Sequence, residues 1–281
     1  MLNEIAELFQ YTFFTNALIS ALLASISCGI AGTYIVARRK VFIAGGITHA
    51  AFGGIGLGYY MGISPVAGGT LFGLFSALGI EWLSKKSGIR EDSAIGIIWS
   101  FGMAIGIIFI FLTPGYAPNL MTYLFGNILT VNTSELYYMM LVTLLIVAFF
   151  VVFSRIILFI SFDEEYAKSL KLPVQVFNYL LITLVALVIV INIRIVGIIL
   201  VISFLTIPQS TANLFTKEFR RIILYSILVG VVGSFSGLYI SFKADLPSGA
   251  SIIFVFVLIY IVTWVIRSIK GRIEIRKQLS K

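Results

Sequence analysis

Runs of about 20 mostly apolar residues, parted by short turns or basic clusters, recur along the whole chain, and each is long enough to cross a hydrocarbon layer of roughly 30 Å as a helix. That repetition leaves no room for a sizeable soluble domain. With 59% hydrophobic and 11% charged residues and a mean hydropathy of +1.06 over 281 residues, the composition also lies outside the soluble globular range. The expected fold is all-α, a polytopic integral membrane protein with one transmembrane domain over 1–281. Apolar runs at 12–36, 46–61, 65–83, 93–112, 135–153, 176–193, 196–215, 222–242 and 250–267 predict about nine spanning helices. The sixth and seventh are parted only around Arg194, so eight spans with one broken helix is the alternative count.

The first run, Phe13 to Val36, is longer than a signal-peptide core and is preceded by Glu4 and Glu7 rather than by lysines, so it is expected to remain as the first span. The only cysteine, Cys28, lies inside it and has no intrachain disulfide partner. Nine spans put every Lys and Arg on one side except Arg194 and Lys243. By the positive-inside rule that side is cytoplasmic, with the N-terminus outside and the C-terminus in the cytoplasm. A pI near 9.6 by itself fits a nucleic-acid binder, but the basic residues form clusters beside apolar spans, so lipid is the expected contact and nucleic acid is not.

The stretch "AGGITHAAFGG" (44–54) holds the only histidine, His49. A histidine in a membrane helix needs partners for its nitrogens and faces the protein interior or a water-filled cavity. Neutral imidazole is also a ligand for divalent transition ions, so His49 is read either as a metal ligand or as a satisfied structural hydrogen-bonding group. The dense glycines around it, including Gly45, Gly46, Gly53, Gly54 and Gly58, serve tight helix packing or expose backbone beside a pathway. Asp92 and Ser93, where the fourth span begins, fit helix capping, and Glu81 is expected at the interface at the inner end of the third span. The 113–134 connection fits either a re-entrant outer lid around Met121 to Leu129 or an ordinary surface loop. Two inner segments exceed mere connectors: "SFDEEYAKSLKLP" (161–173), read as membrane-adsorbed or docking, and "TIPQSTANLFTKEFRR" (206–221), read as a docking segment.

The sequence has no phosphate-binding G-x-x-x-x-G-K-[ST] loop, no serine nucleophile elbow and no HExxH pair. An intramembrane enzyme would need a second catalytic group beside His49, so the chain is not read as an enzyme. A self-sufficient ion-coupled metal carrier is the alternative transport reading, disfavoured because the twelve acids fall almost wholly in loops or at span ends.

Six segments in order, "ARRKVFIAGGITHAAFGGIGLG" (37–58), "EDSAIGIIWSFGMAIGI" (91–107), "YLFGNIL" (123–129), "FDEEYAKSLKLP" (162–173), "VGIILVISFLTIPQSTANL" (196–214) and "DLPSGASI" (245–252), together resemble the permease subunits of bacterial ABC importers for zinc, manganese and iron, the ABC-3 family. The resemblance implies a type II ABC importer-like fold in a bacterial cytoplasmic membrane. It also implies a pathway between two copies of the chain, two ATP-binding cassette subunits beneath, and an extracytoplasmic metal-binding protein outside. A divalent transition metal would be the transported substrate, with no resident cofactor. His49 would be a transient ligand, with Gly45, Gly46, Thr48 and Gly53 as pathway backbone. The 206–221 segment would couple to the ATPases through Pro208, Gln209, Ser210, Thr211, Asn213, Lys217, Arg220 and Arg221. Two departures from the family pattern stand out: Gly45 occupies the place of an aspartate four residues before the histidine, and Lys171 stands where a glycine is common.

Overall fold

The computed structural model describes residues 11–86, 88–114 and 126–279, with side chains described as far as Lys270. Among these residues the chain is helical, with α1 Thr12–Ala37, α2 Val41–Met61, α3 Pro65–Lys86, α4 Glu91–Leu112, α5 Thr133–Val152, α6 Ser154–Phe162, α7 Glu164–Ser169, α8 Val174–Val196, α9 Ile198–Phe215, α10 Phe219–Ala244 and α11 Ser248–Leu279. Nine of the described helices are long and apolar enough to span a bilayer, in agreement with the nine apolar runs. Of the re-entrant helix expected around Met121 to Leu129, residues 121–125 lie outside the described residues. The part of that connection that is described forms only a single 3-10 turn, Ile128–Thr130.

The boundary between the sixth and seventh spans falls at Gly197 rather than at Arg194. Gly197 has φ 83° and ψ 163°, a backbone region open essentially to glycine, and it ends α8 and starts α9 in one residue. Arg194, stranded at the charge-poor end, pairs with Glu135 of α5 at 3.3 Å. Glu135 also closes a capping box with Asn132, so a single carboxylate both caps α5 and neutralises α8.

Helices α1, α2 and α8 form the interior, while α4 and α11 show most of their surface outward. Outward-facing Phe111 and Phe75 would be a liability in water and are ordinary against lipid. Lipid tails give apolar helices no preference for one another, so association depends on close backbone packing. The contact of α2 with α4 shows how close it is. A Cβ added at Gly53 would come within 2.7 Å of the Gly102 carbonyl oxygen, and one added at Gly102 within 2.5 Å of the Ala50 Cα. Gly56 meets Gly106 in the same way, and Gly54 meets Gly68 of α3. The glycines of the second span are therefore packing surfaces toward α3 and α4.

The 206–221 segment begins inside the helix that the apolar run 196–215 predicts. Helix α9 continues unbroken to Phe215 with Pro208 inside it, and Pro208, Gln209 and Thr211 are buried. A proline inside a helix removes one N–H and leaves the carbonyl four residues earlier, Phe204, without its donor. Gln209 supplies the replacement. Its Nε2 donates to the Phe204 carbonyl at 3.0 Å and to the Cys28 carbonyl at 2.9 Å, stitching α9 to α1 opposite Gly32. In hydrocarbon, where no water can satisfy the orphan, this compensation is what keeps the helix intact. Gln209→Leu should therefore lower stability by about 1–3 kcal/mol. The loss should shrink in a Pro208→Ala background, where residue 208 regains its N–H, and a double-mutant cycle of thermal midpoints in detergent checks this.

Candidate functional site

His49 sits half-buried on α2, roughly 12 Å along the helix from its basic end at a rise of 1.5 Å per residue. Its Nδ1–H donates to the Gly45 carbonyl at 2.9 Å. A carbonyl can only accept, so the neutral ring carries its proton on Nδ1 and presents Nε2 as a bare lone pair, the form that binds a metal ion. The neighbouring Thr48 hydroxyl is buried and donates back to the Ala44 and Gly45 carbonyls at 2.8 Å, so it is engaged within the helix.

Trp99 of α4 stacks on the imidazole, with ring centroids 4.0 Å apart and planes inclined by 16°. The same indole lies over Gly45, where an added Cβ would sit 3.4 Å from its Cζ3. That is an ordinary van der Waals distance, so position 45 borders the indole without being filled by it.

The other residues expected to form pathway backbone are accounted for by packing. Gly46 abuts Ile95 of α4, with an added Cβ 2.7 Å from Cγ2, and Gly53 abuts Gly102. Among the described residues no three His, Cys, Asp or Glu side chains gather in a way that could hold a metal ion. One copy of the chain therefore offers His49 as a single imidazole.

A second constellation joins the basic ends of the helices. Glu81, at the basic end of α3, is buried within the protein, pairing with Lys85 at 2.6 Å and Lys40 at 3.5 Å, and Lys40 also reaches Glu91 at 3.1 Å. These contacts tie α3, the start of α2 and the start of α4 together. Beside them, Arg38 at the end of α1 pairs with Glu164 of α7 at 2.8 Å and donates to the Ile160 carbonyl at 2.6 Å. Asn178 donates to the other Glu164 oxygen at 3.2 Å. Burial pushes the Glu164 carboxyl up, but its bond to Arg38 outweighs that and holds it below its ordinary value. Asp92 pairs with exposed Arg90 at 3.3 Å, and no side-chain cap forms at the start of α4, so the carboxylates of its first turn act on the helix dipole instead.

Of the docking residues expected at 206–221, Pro208, Gln209 and Thr211 are interior. Ser210 and Asn213 are half-buried, Lys217 is exposed, Arg221 pairs with Glu218 at 2.7 Å, and Arg220 borders an apolar groove. By contrast, α7 projects outward. Glu165, Tyr166, Lys168 and Leu170 are exposed, while Ala167 is anchored beside Ile160, Val174 and Phe177. Asp163 caps it by accepting from the Tyr166 N–H at 2.9 Å. Lys171 closes its turn at φ 58°, a left-handed conformation that disfavours any residue with a Cβ. That is the geometry for which a glycine would be the easy choice.

Trp99 and the Arg38–Glu164 pair escaped the sequence reading. A signal for the first existed: Trp99 precedes Gly102 and Gly106, a second small-xxx-small pair that complements the glycines of α2. No local pattern links Arg38 to Glu164, 126 positions apart.

The fold and site define a multi-span helical membrane protein whose central helix offers one imidazole. Residues 10–267 match the ABC 3 transport family, and the chain belongs to it. It is 39% identical to the uncharacterized membrane protein slr2045 of Synechocystis over 95% of each chain. It is 33% identical to the manganese transport system membrane protein MntC of Listeria innocua over 96% of each chain. Among solved structures it resembles that of PsaBC from Streptococcus pneumoniae in complex with Fab, with a TM-score of 0.84, 33% identity and coverage of 94% of this chain and 95% of that one. As an ABC transporter permease the chain is not itself an enzyme.

The lowered carboxyl of Glu164 has a pH consequence. Its contribution to stability is present above the ordinary value of 4.5 and is lost as pH falls through the lower folded value. Thermal midpoints measured at stepped pH should thus separate the native chain from Glu164→Gln at neutral pH and converge below about pH 4.

Proposed function

We propose that the chain is the permease subunit of an ATP-driven importer of a divalent transition metal, with manganese the leading candidate and zinc and iron the others. The observation that carries the reading is His49, whose Nδ1 is committed to Gly45 and whose Nε2 is left available, in a chain whose relative MntC is named for manganese transport. One imidazole per protomer is too few for a coordination sphere, which supports a homodimer in which two copies of His49 approach one pathway, with carbonyls or water completing the shell. An ion held by so few protein ligands would bind transiently, and a conduit needs binding weak enough to release. Work would come from two separate ABC ATPase subunits, and an extracytoplasmic binding protein would deliver the ion. The asymmetry of basic residues supports a multi-pass subunit of the bacterial cytoplasmic membrane with the N-terminus outside and the C-terminus inside.

For the ATPase contact the geometry favours α7 over 206–221. Helix α7 is exposed, charged, capped and anchored, and through Glu164 it grips Arg38, which lies two residues before Lys40 at the start of α2. Movement of α7 would thereby reach the helix that carries His49. Lys217 and Arg221 remain as flanking cations.

Two experiments test this reading. In proteoliposomes containing the ATPase subunits, radioactive manganese uptake should require ATP and fall at least tenfold in His49→Ala. Uptake without nucleotide would favour an ion-coupled secondary transporter instead, and undiminished uptake in the variant would remove His49 from the pathway. For the docking surface, reversing the exposed charges in Glu165→Lys with Lys168→Glu should abolish co-purification of the ATPase while leaving the thermal midpoint of the permease within a few degrees. Unchanged co-purification would rule α7 out.

A further inference from the structure

A groove of about 430 Å³ opens on the outside of the helix bundle between α1, α5, α6 and α10, far in the fold from the α2–α4 contact that carries His49. Its volume falls within the roughly 300–1,000 Å³ of sites that hold small organic ligands. Its lining changes character along its length. Ile30, Val147, Phe150 and Ile223 make a wholly apolar wall, and the polar lining side chains are Ser154 and Arg220. Both sit at the basic end of the protein, Ser154 as the first residue of α6 and Arg220 as the second of α10. Ile30 lies seven residues inside the end of α1, roughly 10 Å from it at 1.5 Å per residue, so the apolar wall reaches into the span.

The charge at that rim is positive and uncompensated. Glu218, two residues before Arg220, is taken by Arg221 at 2.7 Å. Among the described residues Arg220 makes no ion pair, and neither does exposed Arg155, the neighbour of Ser154. A guanidinium offers a planar fork of donors that suits a phosphate oxygen pair, and it is more weakly hydrated than an ammonium.

We propose that this groove is a binding site for an anionic phospholipid of the leaflet at the basic end, with one acyl chain along the wall formed by Ile30, Val147 and Ile223 and the headgroup phosphate on Arg220. The match is one of polarity and charge together: hydrocarbon against the deep apolar part, phosphate against the cation at the rim. Basic pockets between membrane helices at the cytoplasmic surface recognise lipid headgroups by the same logic. A zwitterionic lipid offers the same chains but presents its own cation beside the arginine, so the site should discriminate between headgroups. Arg220, set aside above as a docking residue, thereby acquires a role independent of the ATPase and of the metal.

The test uses the full chain alone, purified in neutral detergent and titrated with phosphatidylglycerol, with phosphatidylcholine or with inorganic phosphate, and read by native mass spectrometry and by the thermal midpoint. Phosphatidylglycerol should bind saturably and raise the midpoint, and the other two should not. Arg220→Gln should weaken retention about fivefold. Ile223→Trp, which fills the groove, should abolish retention while its midpoint without lipid stays near that of the native chain, and Arg221→Gln should bind as the native chain does. Equal retention of the two lipids, equal retention by native and Arg220→Gln chains, or displacement of phosphatidylglycerol by inorganic phosphate would overturn the proposal. Loss of a dimer in Ile223→Trp, seen by light scattering, would do so as well by assigning the groove to subunit contact.

Discussion

Within hydrocarbon every backbone polar group must find its partner inside the protein, and most of this fold follows from that requirement. It makes each apolar run helical, confines irregular backbone to the ends of spans, and turns any interruption into a debt that a side chain has to settle. Gly197 avoids the debt by placing the break between α8 and α9 at a single residue. Pro208 incurs it in mid-helix, and Gln209 answers with an amide aimed at the Phe204 carbonyl. Helices satisfied in this way have little left with which to attract one another, so α2, α3 and α4 cohere through glycine seams where backbones nearly touch.

The same seams fix the surroundings of His49. Close approach of α4 at Gly102 and Gly106 brings Trp99, one turn earlier, across the imidazole and over the empty position of Gly45. The glycine and the tryptophan are therefore neighbours across the α2–α4 seam. In the family pattern a carboxylate beside the histidine would add a charged ligand and bind a divalent ion more tightly. Here that position is glycine, and the face of Trp99 lies beside it and across the imidazole.

What could be read from the sequence divides along physical lines. Span number followed from length and hydropathy, because both are local, and the two stranded cations identified the charge-poor end. The 206–221 segment was legible in its small polar residues and basic end, but the bond of Gln209 to a carbonyl in α1 depends on a contact that only the folded chain brings near. The place of Glu81 at the inner end of the third span was legible, and so is its pairing with Lys85 four residues on, whereas its second partner Lys40 is distant in sequence. The left-handed turn at Lys171 was legible in another way: the expectation of glycine there was an expectation about backbone shape, and the lysine adopts that shape at some cost.

Charge placement links the two halves of the molecule. Two neighbouring sets of ion pairs, Arg38 with Glu164 and Lys40 with Glu81 and Glu91, hold the ends of α1 to α4 and the exposed α7. Exposed ion pairs on separate side chains contribute little, but a set that includes a carboxylate as buried as Glu81 resists being pulled apart one pair at a time, since each break strands a charge in a poorly solvated place. Such a junction transmits rigid-body motion better than it absorbs it. Under the proposed reading, displacement of α7 by an ATPase would tilt the basic ends of α1 and α2 together, and the glycine seam would carry α4 with them. His49 and Trp99 would then move as a stacked pair relative to the second copy of the chain, and the spacing between the two imidazoles, rather than the shape of either site, would decide whether an ion is held or released.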